Sequence, residues 1–179
     1  MTKNSSLVAK ANLPPLLPTP PSSIEPYESL KWLEDVQTLQ IFVTYTEGRT
    51  EEEVAIRMAI LIDRMAEYGP WAIRVELLMQ PRVIRLWEGP RIYAQHVHEM
   101  KSLVNQINQS FKILRRVNAQ INLDYANFHQ MKLAAALFSL EVDWTLNYHV
   151  EGTWSFIKID PEGHLMRRLR GVYDRDFSV

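Results

Sequence analysis

Five histidines are the first residues to test for chemistry: His96, His98, His129, His149 and His164. A neutral imidazole is both a metal ligand and a general base near neutral pH. His96 and His98 stand two apart, which suits neither one face of a helix nor the four-residue spacing of helical zinc sites. They are therefore expected to be surface histidines, with no metal site. Ser139, Asp143 and His149 have the residue types of an acyl-transfer triad, but their order and strand positions match no template for one. Glu141 and Asp143 would share the polar side of a strand, where solvated carboxylates are the ordinary outcome. No two glycines lie close enough to form a phosphate-cradling loop, and no Gly-x-Ser-x-Gly elbow is present. With no Cys in the chain, thiolate nucleophiles, disulfides and Cys-held metals are excluded, and a reducing compartment is the natural setting. The expectation is a protein that is not an enzyme, with no catalytic residues and no cofactor.

The remaining polar chemistry is cationic and local. Lys112, Arg115 and Arg116 form one cluster; Arg167, Arg168 and Arg170 form a second, offset by Asp174 and Asp176. Near an anionic membrane each such residue contributes about 1 kcal/mol. The two clusters are thus candidate contacts for an anionic surface, with an ordinary solvated face as the alternative. Over the whole chain 20 basic side chains stand against 21 acidic ones, a net charge of −1. Nucleic-acid binders are strongly basic, so direct sequence-specific binding of nucleic acid is not expected. The same near-zero charge leaves little long-range repulsion between copies of the chain, which favours self-association. Of the five tryptophans, Trp71, Trp144 and Trp154 fall on strand patterns and read as core. Trp32 and Trp87 flank loops, where insertion into a partner is the alternative to half-burial.

The elements that must position these groups follow from composition and period. A length of 179 residues points to one domain, and 46% apolar with 23% charged residues places the chain among globular proteins. No apolar run approaches the ~18–20 residues that span a bilayer. Six of the ten prolines fall in residues 1–26, which read as a flexible Pro-rich arm preceding a globular domain over 27–179. Within the arm, Leu13-Pro14-Pro15-Leu16-Leu17-Pro18-Thr19-Pro20-Pro21 carries a PxxP spacing. Such a segment docks into aromatic grooves because its extended form is low in entropy, or serves simply as a spacer.

From Tyr27 onward the pattern predicts a helical turn over 28–35 and a strand over 39–46. Thr50 and Glu53 then form a capping signature for a helix reaching Tyr68. A strand over 71–79 and a short one over 83–87 follow. A heptad stripe from Tyr93 to Leu114 predicts a helix. Strands are expected over 117–125, 140–150, 154–159 and 165–173, with an Ala-rich helix over 129–138. Asp160-Pro161-Glu162-Gly163 reads as a turn. Alternation with one polar side suggests an antiparallel meander. The expected fold class is α+β: one compact domain with a mainly antiparallel sheet, packed by two or three helices and preceded by a disordered Pro-rich arm.

The order of these features resembles that of a rhabdovirus matrix protein. A Pro-rich stretch ends in Pro20-Pro21…Pro26-Tyr27 and leads into Leu30-Lys31. A strand (39–46), an amphipathic helix (51–68), an apolar strand (71–79) and late aromatic-rich strands (140–150 and 154–159) follow. The arm departs from the family's late motifs: Glu25-Pro26-Tyr27 lacks the tandem Pro, and Pro18-Thr19-Pro20-Pro21 has Pro where Ala is usual. The resemblance implies a structural role in a virion. The protein would self-associate, bind the viral nucleocapsid protein and an anionic membrane surface, and lie under the envelope or at the inner membrane face of the host cytoplasm. The arm, through Leu13 to Pro21 and Tyr27, would mediate self-association or engage host Pro-motif-binding domains. The competing reading is a non-enzymatic adaptor that presents the PxxP ligand on a dimerising α+β domain.

Overall fold

Strands adjacent in sequence are adjacent in the sheet, and most of them run parallel. In the computed structural model, which describes residues 19–45, 50–81, 89–124, 127–153 and 155–178, β1 (Leu30–Leu33) pairs antiparallel with β2 (Thr38–Thr44). β2, β3 (Arg74–Gln80), β4 (Arg116–Leu123) and β5 (Asp143–Val150) are mutually parallel. β6 (Ile157–Lys158) adds an antiparallel edge, and the spatial order is β1-β2-β3-β4-β5-β6.

Parallel neighbours require a crossover. Helix α1 (Glu51–Ala66) joins β2 to β3, and α2 (Gly89–Ser110) joins β3 to β4. The short α3 (Phe128–Met131), continued by a 3₁₀ segment over Lys132–Ser139, joins β4 to β5. Helix α4 (His164–Asp176) follows β6. Crossovers share one hand, and here each steps to the next strand in the same direction, so all of them fall on one side of the sheet. Accordingly α1 packs on α2, α2 on the 3₁₀ segment, and that segment on α4. The described residues thus form a single α+β domain of two layers, a six-stranded mixed sheet and four α-helices.

Local chemistry explains the main elements. The Thr50 side chain accepts from Glu53 N at 3.2 Å while the Glu53 carboxylate accepts from Thr50 N at 2.8 Å, a reciprocal cap that starts α1. Met58, Leu61 and Met65 recur on the buried side of that helix. Past its end, Gly69 passes so close to α2 that a Cβ would lie 2.4 Å from Ser110 O, so no other residue fits without backbone movement. The core is built from alternate strand residues (Leu39, Ile41, Val75, Leu77, Ala119, Ile121, Leu146) facing Met65, Met100, Leu103, Ile107, Leu137 and Leu169 of the helical layer. Tyr93 Oη donates to Asp176 Oδ2 at 2.9 Å, tying α2 to α4.

Several expectations are corrected. The sheet is not mainly antiparallel: three of its five pairings are parallel, β2 with β3, β3 with β4 and β4 with β5. Residues 28–35 supply the edge strand β1, because Leu30 and Trp32 face Ile41 and Leu39 across the β1–β2 pair. The segment 165–173 lies within α4, with Met166, Leu169 and Val172 buried at helical spacing. The Asp160–Gly163 turn is real, with Gly163 N bonded to Asp160 O at 3.0 Å, but it launches a helix and not a returning strand. The strand expected over 154–159 is reduced to Ile157–Lys158. His96 is buried, against the expectation of a surface histidine. The folded region also begins before Tyr27: Ile24 is buried, Pro21–Ser23 forms a 3₁₀ turn, and Glu25 pairs with Arg64 at 2.9 Å. The expected strand over 83–87, Trp87, Trp154 and arm residues 1–18 lie outside the described residues.

Candidate functional site

The polar residues of the alternating strands form the free face of this sheet. Register places them in rows across the parallel strands. Gln40, Glu76, Asn118 and Thr145 make one row; Phe42, Leu78, Gln120 and Asn147 make the next, which Lys158 extends onto β6. A third row brings Asn122 beside His149. Parallel sheets are ordinarily covered on both faces. In this one the second face is hydrophilic and carries no helix among the described residues.

Hydrogen bonds hold the rows in place. Gln40 Nε2 donates to Glu76 Oε2 at 2.7 Å across β2 and β3, and Thr145 Oγ1 donates to Asn118 Oδ1 at 3.1 Å across β4 and β5. Gln120 Nε2 donates to Asn122 Oδ1 at 2.9 Å along β4. The centre of the face dips into an open basin of about 470 Å³, lined by Glu76, Leu78, Arg116, Asn118, Gln120, Thr145, Asn147 and Lys158. Asn118, Gln120, Thr145 and Asn147 give it half-buried neutral amides and a hydroxyl, Glu76 adds a carboxylate, and Arg116 and Lys158 are exposed at its margins. Amides present donor and acceptor side by side and do not titrate. Such an arrangement suits recognition through hydrogen bonds.

A second polar group lies at the carboxyl ends of β2–β4, under α2 and α3. Tyr45 and His96 stack with ring centroids 3.9 Å apart. Gln95 Nε2 donates to Glu99 Oε1 at 2.9 Å, and Gln130 Nε2 reaches Asp124 Oδ2 at 3.2 Å. Three buried oxygens, Tyr45 Oη, Glu99 Oε2 and Gln130 Oε1, lack a partner of hydrogen-bond geometry. Burial pushes the Glu99 carboxyl above its ordinary value. It pushes the Tyr45 phenol well above its own, and the nearby Glu99 carboxylate adds to that shift. The adjoining void beside Tyr45 and Gln130 is about 10 Å³, room for one water at most. In doubly wound sheets the carboxyl edge holds a ligand crevice where successive crossovers leave on opposite faces. All three crossovers leave on one face, so the parallel strands have no such switch point among the described residues.

A third depression, about 550 Å³, runs between α1 and α2 past Glu51, Met58, Ile62, Arg91, His98 and Glu99. It is larger than the basin, and part of its polar lining is engaged while Glu99 Oε2 is left without a hydrogen-bond partner. Gln95 donates to Glu51 O at 3.0 Å as well as to Glu99, and Arg91 lies 3.8 Å from the Glu51 carboxylate.

The residues singled out from sequence are dispersed. Leu13, Pro14, Pro15, Leu16, Leu17 and Pro18 lie outside the described residues. Thr19 O accepts from Trp71 Nε1 at 2.9 Å, Pro21 opens the 3₁₀ turn after Pro20, and Tyr27 Oη donates to Arg57 O at 3.3 Å. These contacts hold the described end of the arm beside α1. Lys112 and Arg115 are exposed in the turn before β4, whereas Arg116 belongs to the basin. On α4, Arg167, Arg168 and Arg170 are all exposed, with Arg168 3.8 Å over the Phe128 ring and Arg170 4.9 Å over Phe138. Ser139 Oγ donates to Tyr173 Oη at 3.3 Å and His149 Nε2 to Thr153 O at 2.7 Å, so neither is partnered as in a catalytic triad. No cluster of three metal-ligating His, Cys, Asp or Glu occurs among the described residues.

Sequence reasoning missed the basin. The polar residues at 118, 120 and 122 and at 145, 147 and 149 were visible only as the polar half of two alternations. No protein-family model, curated protein or solved structure matches this chain. No described helix is long and apolar enough to cross a membrane.

Proposed function

We propose that this protein is a non-enzymatic recognition module that binds a polar, hydrogen-bonding partner on the open face of its sheet. The observation that carries the proposal is the sheet face left without a helix among the described residues, which gathers amides from β4 and β5 into one basin. Catalysis needs a group that titrates or attacks near neutral pH. The basin offers amides and a threonine instead, and its one carboxylate, Glu76, is engaged by Gln40.

The experiment is a ¹⁵N-resolved NMR screen of the full chain against small polyols, nucleosides and short peptide amides. The expected result is chemical-shift change concentrated at Glu76, Asn118, Gln120 and Asn147. Changes confined to the α1–α2 groove or to the carboxyl ends of the strands would overturn the proposal.

The virion role implied by the resemblance is the rival proposal. Its support is the exposure of Lys112, Arg115, Arg116, Arg167, Arg168 and Arg170. Of the late strands that carried the resemblance, 140–150 forms as β5 and 154–159 is reduced to Ile157–Lys158. That role requires salt-sensitive polymers that co-sediment with phosphatidylserine vesicles; the recognition module requires neither.

A further inference from the structure

We infer that the basin takes a short, uncharged, polyhydroxylated ligand, an oligosaccharide segment. The inference rests on the recognition-module reading and adds the ligand's chemistry. Three features of the basin bear on it.

The floor is mostly uncharged: Asn118, Gln120, Thr145 and Asn147 carry no charge, and its one carboxylate, Glu76, accepts from Gln40 Nε2 at 2.7 Å. Its two cations stand at opposite corners. Arg116 precedes Gln120 by four residues on β4, and Lys158 lies two strands away through Asn147. That separation is about 16 Å between Cα atoms, at ~3.3 Å per residue and ~4.8 Å per strand. The centre of a bound ligand therefore rests on amides, and an anionic centre such as a phosphate gains little there.

The hydrogen-bonding groups are also of mixed type. Asn118 Oδ1 is occupied by Thr145 and Gln120 Nε2 by Asn122, which leaves Asn118 Nδ2 as a donor beside Gln120 Oε1 as an acceptor. Asn147 adds one of each. A hydroxyl both donates and accepts, so vicinal hydroxyls on a ring match adjacent amides without desolvating a charge. Leu78 supplies one apolar spot for the C–H face of a ring.

Shape rules against a second copy of the chain as occupant. A basin docked on its own two-fold mate would enclose both depressions as a void, and interfaces pack to interior density. At about 470 Å³ the basin is in the range of small-ligand sites.

The test is a titration of the ¹⁵N-labelled full chain with maltotriose, cellotriose and chitotriose to millimolar concentrations. At least one should shift the amides of Asn118, Gln120 and Asn147 saturably. Asn118→Ala and Asn147→Ala should each weaken that binding about fivefold to tenfold, the size of one neutral hydrogen bond, with an unchanged melting temperature. Arg116→Ala should leave it within about twofold; a loss as large as that of the amide variants would overturn the uncharged-ligand assignment. If none of the three sugars shifts the face while a nucleoside or peptide amide does, the saccharide inference fails and the recognition face stands. If no probe shifts the face, both fail.

Discussion

The two sides of one sheet carry opposite chemistry on the same strands. On β3, Val75, Leu77 and Met79 are buried under helices, while Glu76 and Leu78 between them look out from the open face. On β4, Val117, Ala119, Ile121 and Leu123 face inward and Asn118, Gln120 and Asn122 face outward. Parallel strands covered on both sides read as continuous apolar runs. Alternation in a parallel sheet therefore reports an uncovered side. One face was built to be buried by four helices and the other to remain wet, and the second is where a partner has access.

The comparison breaks most sharply at neighbouring leucines. Leu77→Ala should destabilise by about 2–5 kcal/mol, because Leu77 is fully buried and the helical layer cannot collapse onto the space. Leu78→Ala, one residue along on the open face, should lose less than about 1 kcal/mol. Chemical denaturation of the two variants measures the difference; equal losses would mean that the open face is covered in solution.

The covering layer is tested next. Gly69→Ala places a methyl against the backbone of Ser110, which cannot rotate away, so a loss of about 1–3 kcal/mol is expected in thermal unfolding.

The polar group inside the covered side responds to pH, and the amides of the open face do not. The Glu99 carboxyl is raised in the folded protein above its ordinary value of 4.5. Its contribution is fully present below pH 4.5 and is lost as pH rises through the folded value. Glu99→Gln keeps an acceptor for Gln95 and removes the titration. The variant should therefore gain stability relative to the parent as pH rises from acid to neutral, with the gain absent at acid pH. Parallel pH curves for the two proteins would refute it.

The smallest effect is expected at Gln120→Ala, within about 0.5 kcal/mol in stability, since its side chain bonds to Asn122, a neighbour on the same strand.

Much of this was legible locally. The Thr50–Glu53 cap, the stripe that becomes α2 and the alternations of β2, β4 and β5 are short-range patterns, and each element formed close to where its pattern lies. Two segments were misread for reasons of length and context. In Leu30–Leu33 four residues fit a helical turn as well as a strand, and only pairing with β2 decides. In 165–173 the turn before the segment suggested a hairpin, yet Leu165, Met166, Leu169 and Val172 carry the helical period, and that period won because α4 finds the Ala134–Ala136 surface to pack on.

Short-range pattern along the chain was enough to tell which residues of β2 to β5 turn inward, where α1 begins, and that the Cys-free chain has no thiol chemistry. The tertiary structure alone decided that the strands run parallel, that every crossover leaves on one side, and that polar residues scattered from 76 to 158 meet in one basin. The reason is physical. A side chain's inward or outward direction is set by its neighbours one or two residues away, but Gln40 beside Glu76 and Asn118 beside Thr145 are joined by register across intervening helices. That register exists only once those helices have packed.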